Sequence, residues 1–185
     1  QNKLDNQARQ SGIFDRIYKF GERSIEHDYY KKHKYILDHK KGYCLWKPHL
    51  ILHLLKNVML QNDILVYVDS ADIFTGNPIQ MRDTIFNVMK QHDMFFTIGG
   101  YKNADWTKRD CFYYMNCDTP KYHDAPQLEN GIIVCRKTNA TIKFMEEWLH
   151  YCQIPDVITD DANTCGLPNF EGFKEHRWNQ SIMTN

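Results

Sequence analysis

Apolar positions in this chain follow two spacings. Ile64–Val68 reads ILVYV, Met94–Ile98 reads MFFTI, and Ile132–Cys135 is a third unbroken apolar run. Short runs of this kind, rich in β-branched and aromatic residues, predict buried strands. Between them the apolar residues recur every three or four positions. Leu50, Leu54 and Leu55 do so in PHLILHLLKNVML, and Ile79, Ile85, Phe86 and Met89 do so after Asn77-Pro78. In NATIKFMEEWLHYC, Ile142, Met145, Trp148, Leu149 and Cys152 share one helical face. Each set predicts an amphipathic helix, with Pro48 and Pro78 in first-turn positions where a missing N–H costs nothing.

Toward the N-terminus, a short polar helix is expected to end at Gly12, and FDRIYKF alternates apolar and polar like a strand. Residues 24–39 read as one helix with Ser24 as its N-cap. Strands alternating with helices of a dozen residues predict an α/β layer structure with a mostly parallel central sheet. Ligands of such sheets collect at the carboxyl ends of the strands. No repeat or Gly/Ser linker interrupts the chain, so residues 1–185 read as one domain. PDVITDDANTCGLPNFEGF, with turn residues and few periodic apolars, reads as a long loop over the pocket.

Composition narrows the function. Lys plus Arg and Asp plus Glu each total 23, a net charge of zero. Nucleic-acid binders neutralise phosphate with a basic excess, and none is present here, so nucleic acid is not the expected partner. No apolar run approaches the roughly 20 residues of a membrane span. The six cysteines show no CxxC pairing, and Cys44, Cys135 and Cys152 sit among apolar neighbours. They read as buried thiols in a reducing, cytoplasmic setting. The chain opens QNKLDNQARQ, without an initiator Met, which reads as a sequence lacking upstream residues.

The informative stretch is ILVYVDSAD. Asp69 follows the last strand residue and Asp72 comes three positions later. In an extended chain the two would stand about 10 Å apart, but a turn at Ser70-Ala71 brings both carboxylates to one cation. Hard divalent ions take oxygen ligands and leave positions open for substrate phosphate. The competing reading is that Asp69 ends the strand and Asp72 caps the next segment. A dehalogenase-type phosphatase would need a second Asp two residues on, and a P-loop ATPase would need GxxxxGK[ST]; neither pattern is present.

GYCLWKPHLIL, ILVYVDSADIF, WTKRDCF, QLENGIIV followed by EEWLHYC, and EHRWNQSI, in this order, cover most of the chain. Together they resemble a family of GT-A glycosyltransferases found in capsule and surface-glycan loci and in large DNA viruses of algae. The resemblance implies a GT-A fold, a UDP-sugar donor with glucose as the hexose, a divalent cation (Mn²⁺ or Mg²⁺), and a glycan or glycoprotein acceptor. For a viral member the compartment would be the host cytoplasm. Family motifs place Asp69 at the first acid of the metal-binding pair, with the second acid one place later than usual, at Asp72. Lys47, after Trp46, falls where a basic residue meets the donor. Trp106, Arg109 and Asp110 fall in a sugar-binding segment, Asn130 and Gly131 line the sugar pocket, and His176 meets phosphate or metal. Gln180 falls beneath the anomeric carbon, preceded by Asn179 where the family has Asp. GT-A folds open with a strand that holds the uracil, and no candidate for it precedes Gln1.

Most of these residues have an ordinary structural reading as well. Lys47 is a solvated lysine before a helix, Thr107 and Asp110 form a capping box, and Asn130-Gly131 is a turn. The family reading implies retention, with Gln180 and Asp110 as the catalytic pair of side chains. An inverting route would draw its base from Asp110, Glu129, Asp160 or Asp161. Two rival functions remain: a non-catalytic sugar-nucleotide or glycan-binding module, and a metal-dependent phosphohydrolase built on the same aspartates.

Overall fold

The computed structural model describes residues 2–21 and 24–185. It is a mixed α/β structure. Helix α1 (Asn2–Ser11) is followed by extended chain, where FDRIYKF forms no strand. Phe14 packs instead on Phe74, at 6.0 Å between ring centroids. The expected helix over residues 24–39 is broken at His33 into α2 (His27–Lys32) and α3 (Lys34–Leu37). Ser24 caps neither, because its hydroxyl accepts from the N–H of Gly21 at 3.0 Å.

A tight left-handed turn comes next. Lys40, Lys41, Gly42, Tyr43 and Cys44 all have positive φ, from 34° to 63°. Such a conformation costs roughly 1–2 kcal/mol for each residue with a Cβ. Tyr43 donates to Asp160 Oδ1 at 3.2 Å and Lys40 pairs with the same carboxylate, which ties the turn to the C-terminal loop. The turn launches α4 (Trp46–Asn57), with Pro48 in its first turn.

Then follow β1 (Ile64–Val68) and α5 (Pro78–Met89), whose Asn77 side chain accepts from the N–H groups of Ile79 and Gln80, the expected cap. The chain continues through β2 (Met94–Lys102), α6 (Arg109–Tyr114), α7 (Pro120–His123), β3 (Pro126–Arg136), α8 (Asn139–Cys152), α9 (Pro155–Ile158) and α10 (Asn179–Thr184). The expected long loop after α8 thus begins with a helical turn whose Val157 and Ile158 are fully buried.

The sheet departs from expectation. Its order is β1-β3-β2, and β3 is antiparallel to both neighbours. Strands β1 and β2 run in the same direction, as a crossover through α5 requires, but they are not adjacent; the returning β3 lies between them. Strand–helix alternation fixes the sense of a crossover, not which strand fills the gap.

A second departure bears on function. Ile133 lies opposite Phe96 but Glu129 lies opposite Thr97, so residues 130–132 have no partner on β2. On the other side Ile132 pairs with Val68, and the N–H of Asp69 donates to the Gly131 carbonyl at 2.8 Å. Asn130-Gly131 is therefore a bulge within a strand, not a turn. Bulges of this kind re-aim side chains and recur beside active sites.

The core lies where α4 and α8 pack together, through Leu45, Ile51, Leu55, Met145, Trp148 and Cys152, against Ile133 and Cys135 of β3. Trp148 donates to the Asn179 carbonyl at 2.8 Å, which seats α10 on this core. All six cysteines are free, with Cys44 and Cys165 partly exposed. Among the described residues no helix is long and apolar enough to cross a membrane.

Candidate functional site

The end of β1, the bulge in β3, the first turn of α4 and the chain leading into α10 enclose a cleft of about 250 Å³. The turn after Asp69 forms as the sequence suggested, with the Asp72 N–H donating to the Asp69 carbonyl at 3.0 Å. It brings both acids over Gly131, with Asp69 in the cleft wall and Asp72 beside it, outside the wall. A Cβ on Gly131 would stand 3.3 Å from Asp72 Oδ2 and 3.7 Å from Asp69 Oδ2. Only a residue without a side chain leaves that space open.

Lys47 is not a solvated lysine. It is buried, and its ammonium lies 3.0 Å from Asp69 Oδ1, 2.9 Å from the Asn130 carbonyl and 3.3 Å from Asn130 Oδ1. Tyr67, which sequence reasoning did not single out, donates its phenol to Asp69 Oδ1. Burial, and then the neighbouring carboxylate, push that phenol upward, so it stays protonated and donating.

Several donors here lack partners. Asn130 Nδ2, Asn179 Nδ2 and Trp178 Nε1 are buried and find no hydrogen-bond partner among the described residues, although Asn130 and Asn179 are only 6% and 3% exposed. A buried polar group left unpaired costs about 1–3 kcal/mol, so these donors fit a ligand rich in acceptor oxygens. Trp178 also sits at φ 53°, ψ −125°, a region a bulky side chain avoids. Strain of this kind gathers at ligand clamps. Gln180 faces the same cleft, its amide nitrogen donating to Gln127 Oε1 at 3.3 Å. Its side-chain oxygen makes no hydrogen bond among the described residues.

The other expected site residues are engaged elsewhere. Asp110 is fully buried and does not line the cleft. It accepts from the N–H groups of Thr164, at 2.8 Å, and Cys165, at 2.9 Å, and pairs with Lys108 at 3.4 Å. Burial alone would raise its pKa; these hydrogen bonds and the ammonium outweigh it and hold the carboxyl below its ordinary value. It closes no capping box either, because the Thr107 hydroxyl goes to Asn103 Oδ1. The first N–H groups of α6 are capped instead by Asn169 and Asn163 of the C-terminal loop.

Arg109 forms an ion pair with Asp118 at 2.9 Å and lies over the Phe170 ring. Trp106 is covered by the Arg177 guanidinium, 4.3 Å from its ring centroid, and by Lys174. Trp46 is half-buried in the first turn of α4 and is not part of the cleft wall.

His176 borders the cleft but has no free nitrogen. Its Nε2 donates to the Val157 carbonyl at 2.9 Å, and its Nδ1 accepts from the Lys108 N–H at 3.3 Å. Burial, and then the nearby Lys108 ammonium, lower its pKa from 6.5 to about 3. The ring is thus neutral, with no charge to offer a phosphate, and both nitrogens are engaged, with no lone pair left for a metal. The unfolded chain takes up this proton below about pH 6.5, whereas the fold resists it down to about pH 3. The stabilisation is therefore complete above pH 6.5 and shrinks as pH falls, by about 1.4 kcal/mol per pH unit. Urea unfolding of wild type and His176→Gln at pH 7 and pH 5 should show a loss about 2 kcal/mol larger in the wild type. Equal losses would show that His176 titrates freely.

Among the described residues no group of three or more His, Cys, Asp and Glu side chains is placed to hold a metal ion. The Asp69–Asp72 pair offers two carboxylates over an open space. That suits a cation whose remaining ligands come from substrate phosphate and water. Compared with family models, curated proteins and solved structures, the chain has no match.

Proposed function

We propose that this cleft binds a UDP-sugar and transfers its hexose, with glucose as the leading candidate, to a glycan or glycoprotein acceptor. The observation that carries the reading is the convergence of Asp69 and Asp72 over Gly131, beside a buried lysine and unpaired buried amide donors. Carboxylates that hold a cation, set next to donors that hold oxygens, suit a sugar diphosphate better than either feature alone would. The motif resemblance to GT-A glycosyltransferases supplies the substrate class. The antiparallel three-stranded sheet does not add support for the GT-A fold itself; the strand-end acids and the motif order do.

In this reading Asp69 and Asp72 would hold Mn²⁺ or Mg²⁺, which would supply Lewis-acid charge at the diphosphate. Lys47 adds a compact positive charge at the same place. Tyr67 orients Asp69, while the Asn130 and Asn179 amides donate to sugar or phosphate oxygens. The acceptor hydroxyl attacks C1 on the face from which UDP leaves, and its proton passes to the departing phosphate. The free side-chain oxygen of Gln180 steadies the positive charge that develops at C1. Retention follows, and Asp110 has no part in the step. Full transfer activity in Gln180→Ala would remove the steadying role.

Calorimetric titration with UDP and several UDP-sugars, in Mn²⁺ and in EDTA, tests the reading. Metal-dependent binding that disappears in Asp69→Ala is the expected result. Nucleotide binding by the wild type in neither condition would refute it, and binding without turnover would favour a non-catalytic module. Metal-dependent release of phosphate from simple phosphate esters would favour a phosphohydrolase.

A further inference from the structure

Lys47 occupies an unusual position for a donor-binding lysine. Its ammonium faces both oxygens of Asp69, at 3.0 Å and 3.3 Å, and its side chain is only 3% exposed. The Asn130 carbonyl and Oδ1 surround it, and the Tyr67 ring lies 4.9 Å away. Asp72 differs. Its carboxylate makes no hydrogen bond or ion pair among the described residues, although it reaches the same space over Gly131. One acid of the pair is already neutralised by the protein, and the other is not. Asn130 adds a separate sign that the site takes a ligand, since its buried Nδ2 has no partner among the described residues while its Oδ1 accepts from Lys47.

We propose that Lys47 is the resident counter-ion of this site, and that Lys47 and a divalent cation are alternative partners of Asp69. A cation approaching Asp69 meets an ammonium already on that carboxylate, and the two positive charges repel at such range. The lysine cannot retreat into solvent, because its stem is buried in the first turn of α4. A diphosphate resolves the conflict by giving Lys47 a second anionic partner and releasing Asp69 to the metal. Cation and diphosphate therefore bind cooperatively, each tightening the other by the same factor. This order of assembly keeps Asp69 neutralised by Lys47 until a diphosphate arrives and makes a free divalent ion a poor ligand. The inference rests on the cation–diphosphate part of the proposed function and is independent of which nucleotide or sugar is carried.

Mn²⁺ binding measured by electron paramagnetic resonance tests it without recourse to activity. The full chain is titrated alone, with inorganic pyrophosphate, and with UDP, after correction for Mn²⁺–anion complexes formed in solution. Wild type should bind Mn²⁺ weakly alone and at least tenfold more tightly with pyrophosphate. Lys47→Met should bind Mn²⁺ alone at least tenfold more tightly than wild type and lose most of the anion effect, while Lys47→Arg should resemble wild type. Should Lys47→Met fail to fold, Lys47→Gln takes its place, and the wild-type coupling needs no variant at all.

Mn²⁺ affinity in Lys47→Met no higher than in wild type would overturn the inference, as would a wild-type affinity indifferent to pyrophosphate. Absence of Mn²⁺ binding under every condition would overturn it too. Coupling to pyrophosphate but not to UDP would uphold the inference and remove the UDP-sugar reading. Metal-dependent UDP binding that is unchanged in Lys47→Met would do the reverse.

Discussion

Replacing Asp110 with alanine should destabilise this protein by about 3–5 kcal/mol, the range found when one partner of a buried ion pair is removed. The substitution orphans the N–H groups of Thr164 and Cys165 and leaves the Lys108 ammonium, 3% exposed, without an anionic partner. Among the described residues the Lys108 ammonium then retains the Asp161 carbonyl alone, at 3.1 Å. Small domains are stable by roughly 5–15 kcal/mol in total, so a loss of this size lowers the urea midpoint sharply. The loop after α9 should become a site of early proteolysis, since Asp110 holds the N–H groups of Thr164 and Cys165 within it. Asp110→Asn, which keeps an acceptor oxygen, should lose less. An Asp110→Ala protein with wild-type stability and no transfer activity would return this carboxylate to the sugar site.

Asp69→Asn should show the opposite pattern, with transfer falling by roughly 10²–10³-fold and the fold largely retained. The asparagine oxygen still accepts from Lys47 and Tyr67, and the position is 39% exposed, so lost pairing is softened by solvent. A stability change near 1 kcal/mol is expected. What disappears, on the proposed function, is the negative charge that would hold a cation at the diphosphate. Single-turnover transfer assays at saturating Mn²⁺, paired with urea unfolding, separate the two effects. Near-normal transfer by Asp69→Asn would mean that the cleft does not use this acid, and the strand-end carboxylates would then be turn-formers alone.

The parts of the fold legible in the sequence are those set by local chemistry. Helix α8 follows its apolar spacing, and the Asn77-Pro78 start of α5 follows from a side-chain cap and a fixed φ. Strand β1 and the turn at Asp69 were legible for the same reason. Helix α2–α3 and the FDRIYKF segment were misread because short amphipathic patterns take a strand or helix only when a neighbour supplies the pairing. The left-handed turn before α4 left almost no trace, since KKGYC holds one glycine for five positive-φ residues. Its conformation is held by Asp160, more than a hundred residues away.

The candidate site divides along the same line. The sequence by itself determined that an acid pair stands at the end of a strand and that the Ser70-Ala71 step between the two permits a turn. It did so because these features depend on residues within a few positions of one another. The tertiary structure alone decided which charged residues face a ligand. Asp110, Arg109 and His176 carry chemistry that suits a sugar-phosphate site, yet Asp110 and His176 are consumed by backbone groups of other segments, and Arg109 by Asp118 nine residues on and by the Phe170 ring. It also decided that Lys47 is buried against Asp69, because the β3 strand inserts between β1 and β2 and places its bulge beneath that ammonium. A side chain's chemical type is local, but its availability depends on which groups the fold brings within hydrogen-bond reach.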